Sequence, residues 1–188
     1  MNSTSGRSGE AALPQLRSAD VVAWQEHKWT ACELVDARAR TRKEGWNAFF
    51  MPCVTTDVDG HSGGVALLTR KHIGQLASPI ASASGGVPGR VLNRHISGFI
   101  PGGVLVVTVY LPMRRLAADR AESNALILDI GKKLAAYRRP FIVLGDWSCD
   151  PQAVLELGVA NRLEATLVYA TEATCYTPTG GGANTWAS

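Results

Sequence analysis

Phe141-Ile142-Val143-Leu144-Gly145-Asp146-Trp147-Ser148 is the stretch on which the fold turns. Four apolar residues in unbroken succession, bounded by Pro140 and Gly145, predict a strand buried on both faces, and a carboxylate follows at Asp146. Upstream, Arg115 to Tyr137 sets Leu116, Ile127, Ile130 and Leu134 among Ala, Lys and Arg, the composition of an amphipathic helix that ends before Pro140. Val104 to Leu111, before that helix, is Val-rich and β-branched, which suits a strand. Strand, helix and strand in this order imply a parallel crossover. Downstream, Pro151 to Leu157 predicts a short helix with Pro in its first turn, and Thr166 to Ala170 is a further strand candidate.

Toward the N-terminus the pattern becomes that of successive strands. Val21 to Gln25 is a short β-rich run closed by Glu26, and Ala31 to Glu44 carries charges spaced along a helical face. Asn47 to Val54, Gly63 to Arg70 and Val91 to Ile100 follow as strand segments. Turn signals separate them: Asp57 to Gly64, Ser84 to Gly89, and Pro101-Gly102-Gly103 as a hairpin, so antiparallel pairing is expected. Residues 1–13 are polar and Gly/Ser-rich, too poor in large apolar groups to offset the entropy of ordering, and are expected to be a disordered tail. Residues 14–188 then form one domain.

With 188 residues, 46% hydrophobic and 19% charged, the chain has the balance of a globular domain with one sizeable core. Nineteen Lys and Arg against sixteen Asp and Glu leave a net charge of +3, too small for a dedicated nucleic-acid tail but compatible with a locally basic face. No apolar run approaches the roughly 20 residues of a membrane span. Met1 to Glu10 has no apolar stretch of a secretory signal, so an intracellular setting, nuclear or cytoplasmic, is expected. Cys32, Cys53, Cys149 and Cys175 are scattered without a C-x-x-C pair, which argues against a zinc site or disulfide framework. They are expected to be small buried or partly buried residues.

Carboxylates at the ends of buried strands carry the chemistry, because a charge at the edge of an apolar core is costly unless a partner or metal offsets it. Glu26 and Asp146 both occupy such positions, and hard oxygen ligands of this kind suit Mg²⁺. The alternative is structural: Asp146 caps a turn and Glu26 pairs with Lys28. His27, His61, His72 and His95 are expected to be solvated or edge histidines, with His27 on the strand face opposite Glu26.

Ala-Asp-Val-Val-Ala-Trp-Gln-Glu-His-Lys (residues 19 to 28), Ser-Gly-Gly-Val-Ala-Leu-Leu (62 to 68), Val-Thr-Val-Tyr-Leu-Pro (107 to 112) and Leu-Gly-Asp-Trp-Ser (144 to 148) occur in order. Together they resemble the endonuclease/exonuclease/phosphatase superfamily, which includes apurinic/apyrimidinic endonucleases and LINE-type retrotransposon endonucleases. The resemblance implies an α+β fold, a two-sheet sandwich flanked by helices in four αββα layers, and Mg²⁺- or Mn²⁺-dependent cleavage of phosphoester bonds. By this resemblance Glu26 is the metal-binding Glu, Asp146 orients or deprotonates the attacking water, and Tyr110 is the phenol near the scissile phosphate. Ser148 stands where the family has Asn, and a hydroxyl offers one donor where an amide offers two. The family's N-terminal Asn strand and terminal Asp-His segment have no counterpart, so the resemblance implies a domain incomplete at both ends, with weak activity or none. The alternative is a non-catalytic fragment or interaction module that keeps the scaffold. The superfamily cleaves DNA, RNA, inositol phosphates and sphingolipids; nucleic acid is favoured because the Q-E-H-K and S-G-G-V-A segments are similar to the repair and retrotransposon branches.

Overall fold

The computed structural model describes residues 5–56, 60–78, 80, 88–111 and 117–169. In chain order the elements are α1 (Gly6–Ala12), a 3-10 turn (Leu13–Gln15), β1 (Val21–Gln25), α2 (Leu34–Lys43), β2 (Trp46–Met51), β3 (Val54–Thr55), β4 (His61–Ser62), β5 (Val65–Arg70), β6 (Gln75–Leu76), β7 (Val91–Ile96), β8 (Val104–Tyr110), α3 (Ala117–Tyr137), β9 (Phe141–Asp146), α4 (Pro151–Glu156) and α5 (Val159–Arg162). β1, β5 and β2 make one antiparallel sheet with β5 in the middle. β6, β7, β8 and β9 make the other, antiparallel from β6 to β8 and parallel from β8 to β9. β3 and β4 form a small separate ladder.

Alternation along the strands builds three apolar layers. Val65 and Leu67 of β5 meet Leu92, Val104 and Val106 between the sheets, while Ala66 and Leu68 face the other way into Trp24, Trp46, Leu34 and Ala37. Leu105, Val107 and Val109 of β8 face Leu126, Ile127, Ile130 and Leu134 of α3. Helix, sheet, sheet and helix therefore stack in the αββα order of an α+β sandwich. The β8–α3–β9 unit supplies the parallel crossover, and α4 starts at an Asp150 cap whose side chain accepts from the Gln152 N–H, with Pro151 in its first turn. No helix among the described residues is long and apolar enough to cross a membrane.

Four expectations are corrected. β9 is not buried on both faces: Phe141 and Val143 pack toward α3, but Ile142 is 48% and Leu144 36% exposed. Across the sandwich it meets β1, the edge strand of the opposite sheet, which covers only part of its inner face. Within the segment expected to be a disordered tail, residues 5–13 carry α1 and the start of the 3-10 turn. Gly6 and Gly9 let the helix lie directly on the indoles of Trp29 and Trp24, where any Cβ would collide with the rings, and Leu13 anchors the turn in the core. Residues 166–169 are not a strand; Val168 and Tyr169 are exposed, and Ala170 lies outside the described residues. Cys32 is exposed, whereas Cys53 and Cys149 are half-buried as expected and Cys175 lies outside the described residues.

Candidate active site

At the end of β1 the backbone leaves the extended conformation abruptly. Glu26 (φ 60°) and Lys28 (φ 59°) are left-handed, a conformation that costs a non-glycine residue on the order of 1–3 kcal/mol unless its surroundings hold it. Two bonds hold it here: the His27 N–H donates to the Gly64 carbonyl and the Lys28 N–H to the Gly63 carbonyl, each at 3.2 Å. Gly64 must be glycine, since a Cβ there would run into the His27 ring. The same loop is tied to the second sheet, because the Gly64 N–H donates to the Gly89 carbonyl at 2.9 Å.

Across the sandwich, Gln25 Nε2 donates to Thr108 Oγ1 at 2.9 Å in a buried bond that joins β1 to β8. Two residues further on, Tyr110 sits on the same inner face, with Asp146 of β9 as its ladder partner. β1, β8 and β9 therefore bring their C-terminal ends to one end of the sandwich. Glu26 and Asp146 reach that end from opposite sheets.

Tyr110 is buried, and its phenol is pushed up to about 12, first by burial and then by the Glu26 carboxylate, with the Arg90 guanidinium acting in the opposite direction. At neutral pH it is thus an O–H donor. Lys28 Nζ lies 3.5 Å from Glu26 Oε1, the pairing that a structural role would give. Asp146 Oδ1 accepts from both the Ser148 N–H at 3.0 Å and the Ser148 hydroxyl at 3.2 Å, a tight turn in which Ser148 is itself left-handed (φ 44°). Three of the left-handed non-glycine residues, Glu26, Lys28 and Ser148, stand at these strand ends.

Arg90 was not singled out by sequence reasoning, and nor was Gln25. The signal for Gln25 was a polar side chain at an inward position of an apolar strand. Arg90 offered none, since an Arg after a glycine-rich turn reads as solvated. It is buried with its guanidinium over the Tyr110 ring, 4.7 Å from the centroid, and its Nη2 donates to Ser62 Oγ at 3.1 Å.

His27 is fully buried, a correction to the expectation of a solvated or edge residue. It faces away from Glu26 into Trp24, Trp29 and Phe50, and its Nδ1 accepts from the Trp29 N–H at 3.0 Å. Burial lowers its pKa to about 4. Between about pH 6.5 and pH 4 the unfolded chain takes up a proton that the folded chain refuses, so stability falls as pH falls through this window, by about 3 kcal/mol in all. His27→Phe is expected to flatten that part of the pH–stability curve, measured by urea unfolding; an unchanged slope would assign it to other groups.

Among the described residues no three His, Cys, Asp or Glu side chains meet in a metal-binding cluster. The donors that do stand at this end are two carboxylates, which is the protein share of a Mg²⁺ site completed by water and substrate phosphate.

No family model and no curated protein matches the sequence. Solved structures do match its fold. The human Nocturnin catalytic domain, solved with bound sulfate, superposes with a TM-score of 0.61 at 14% identity, covering 84% of this chain and 62% of that one. The AP endonuclease of Leishmania major gives 0.54 at 18% identity, covering 77% and 53%. TDP2 of D. rerio in complex with a single-strand DNA product gives 0.56 at 19% identity, covering 81% and 57%. The chain thus spans less than two thirds of each of these structures.

Proposed function

Because this chain has the endonuclease/exonuclease/phosphatase fold, we propose that the shared end of β1, β8 and β9 is a slow, metal-assisted phosphodiesterase site acting on nucleic acid. The observation that carries this reading is the buried Tyr110 phenol beside Glu26, with Asp146 its neighbour on β9. Glu26 and Asp146 would hold a Mg²⁺ or Mn²⁺ ion, which when bound neutralises phosphate charge. Asp146 aligns the attacking water and accepts its proton as the water oxygen bonds to phosphorus, while the opposite P–O ester bond breaks and the departing sugar oxygen takes a proton from solvent. Tyr110 stays protonated and donates to a phosphate oxygen as charge builds there. Ser148 directs its hydroxyl to Asp146, so it offers the phosphate less support than an amide would, and turnover is slow for that reason. Nucleic acid is the favoured substrate because of the resemblance of the Gln25-Glu26-His27-Lys28 and 62–68 segments to the repair and retrotransposon branches; the AP endonuclease and the DNA-product complex among the structural matches support it.

The test is incubation of the purified chain with labelled abasic duplex and with plasmid DNA in Mg²⁺, in Mn²⁺ and in EDTA. Slow cutting that EDTA abolishes is expected. A folded chain that binds the DNA without cutting it would support the second reading, a non-catalytic interaction module that keeps the scaffold.

A further inference from the structure

At the end of the sandwich away from Glu26 and Asp146, β5 closes on Arg70, the ladder partner of Trp46 at the start of β2. The Arg70 guanidinium is held in place without a ligand. It lies over the Trp46 ring, 3.8 Å from the centroid, while Nε donates to the Ala19 carbonyl at 3.0 Å and Nη2 to the Leu16 carbonyl at 2.7 Å. Nη1 is left over. Its neighbour is Gly45, where a Cβ would stand 3.9 Å away and where a φ of 89° favours glycine, so that wall is bare backbone.

Arg70 and Gly45 line a recess of about 410 Å³ together with Pro14, Arg17, Lys43 and Glu44, where the 3-10 turn, the end of α2 and the end of β5 meet. Arg17, Lys43 and Glu44 are exposed, and none of their side chains makes a hydrogen bond or ion pair among the described residues. Three cations against one carboxylate thus share one recess. Like charges gathered in this way repel, and the walls of a cleft focus their field on whatever enters it. A favourable position in the last turn of α2 accounts for Lys43, and a clamp between carbonyls accounts for two nitrogens of Arg70. Neither accounts for Arg17, for Nη1 or for their convergence.

We propose that this recess binds a compact polyphosphate anion, with the fixed Arg70 Nη1 as its anchor and the exposed Arg17 and Lys43 closing on the same group. A guanidinium whose direction is set before binding loses little entropy when it donates to a phosphate oxygen. The volume lies within the roughly 300–1,000 Å³ of small-molecule sites. The recess is separate from the candidate active site: the Arg70 N–H donates to the Asp20 carbonyl, which places the start of β1 here, and the run from Asp20 to Glu26 spans roughly 20 Å.

Pyrophosphate is the probe, titrated into the metal-free full chain by calorimetry and by thermal melt, with single-stranded DNA as competitor. The wild type is expected to bind and to gain Tm. The double variant Arg17→Gln/Lys43→Gln, changed at exposed positions only, is expected to bind at least about 10-fold more weakly. Arg138→Gln/Arg139→Gln removes the same charge from exposed positions after α3 and should bind like the wild type; equal losses in the two double variants would reduce the effect to net charge and overturn the proposal. Arg70→Lys keeps the charge but not the fork and should also weaken binding in a chain that still melts cooperatively; if it does not fold, the Arg17 and Lys43 pair decides. A wild type that binds no pyrophosphate, or pyrophosphate displaced by the DNA, also overturns it. Asp146→Ala should keep the pyrophosphate response, and its loss there would move the anion to the candidate active site and sink the assignment. Pyrophosphate binding that depends on Arg17 and Lys43, in a chain that never cuts DNA, would uphold the recess and defeat only the phosphodiesterase reading.

Discussion

Asp146→Ala is expected to lower Mg²⁺-dependent DNA cleavage by about 10²–10⁴-fold, the range for loss of a positioned acid–base group. Stability should change far less, because the carboxylate is only half-buried and its bonds to Ser148 stay within one turn. Single-turnover cleavage and a thermal melt of the same preparation check both halves. A variant that cuts as fast as wild type would reduce Asp146 to a turn residue that orders Ser148. The distinction matters, since both roles use the same carboxylate.

Gly145→Ala should do comparable damage by another route. A Cβ at position 145 would sit well inside van der Waals contact of the Val109 carbonyl oxygen, a backbone atom that cannot swing aside. Val109 is the ladder partner of Gly145, so relief requires β9 to move off β8. Overpacking of this kind costs about 3 kcal/mol, and it displaces Asp146, the next residue, from beside Tyr110. Urea unfolding should show the loss of stability, and cleavage should fall with it. Unchanged stability would mean that the strand pair is looser than its register implies. Gly145 is thus the point at which the motif Leu-Gly-Asp serves packing and chemistry at once.

Much of the sandwich was legible from local pattern. Val21 to Gln25, Val104 to Tyr110 and the helix ending at Tyr137 announce themselves by composition, and the last two also by the Gly103, Pro112 and Pro140 that bound them, because short-range sterics act within a few residues. The burial of β9 was not legible. Four apolar residues in a row indicate a strand able to be covered on both faces, but only the position of β1 decides that Ile142 and Leu144 stay open. Residues 6–12 misled for the opposite reason: glycines that favour disorder in an isolated chain are here what allows a helix to lie against Trp24 and Trp29.

The candidate site divides in the same way. The sequence by itself determined which groups stand at strand ends, Glu26 after β1, Tyr110 at the end of β8 and Asp146 at the end of β9, because strand limits follow from local residue pattern. Only the tertiary structure decided that these ends coincide, that Glu26 and Asp146 come from opposite sheets, and that Arg90 and Gln25 join them. Those relations depend on sheet order and on contacts between residues far apart in the chain, and a buried guanidinium differs from a solvated one only in what the rest of the fold places around it.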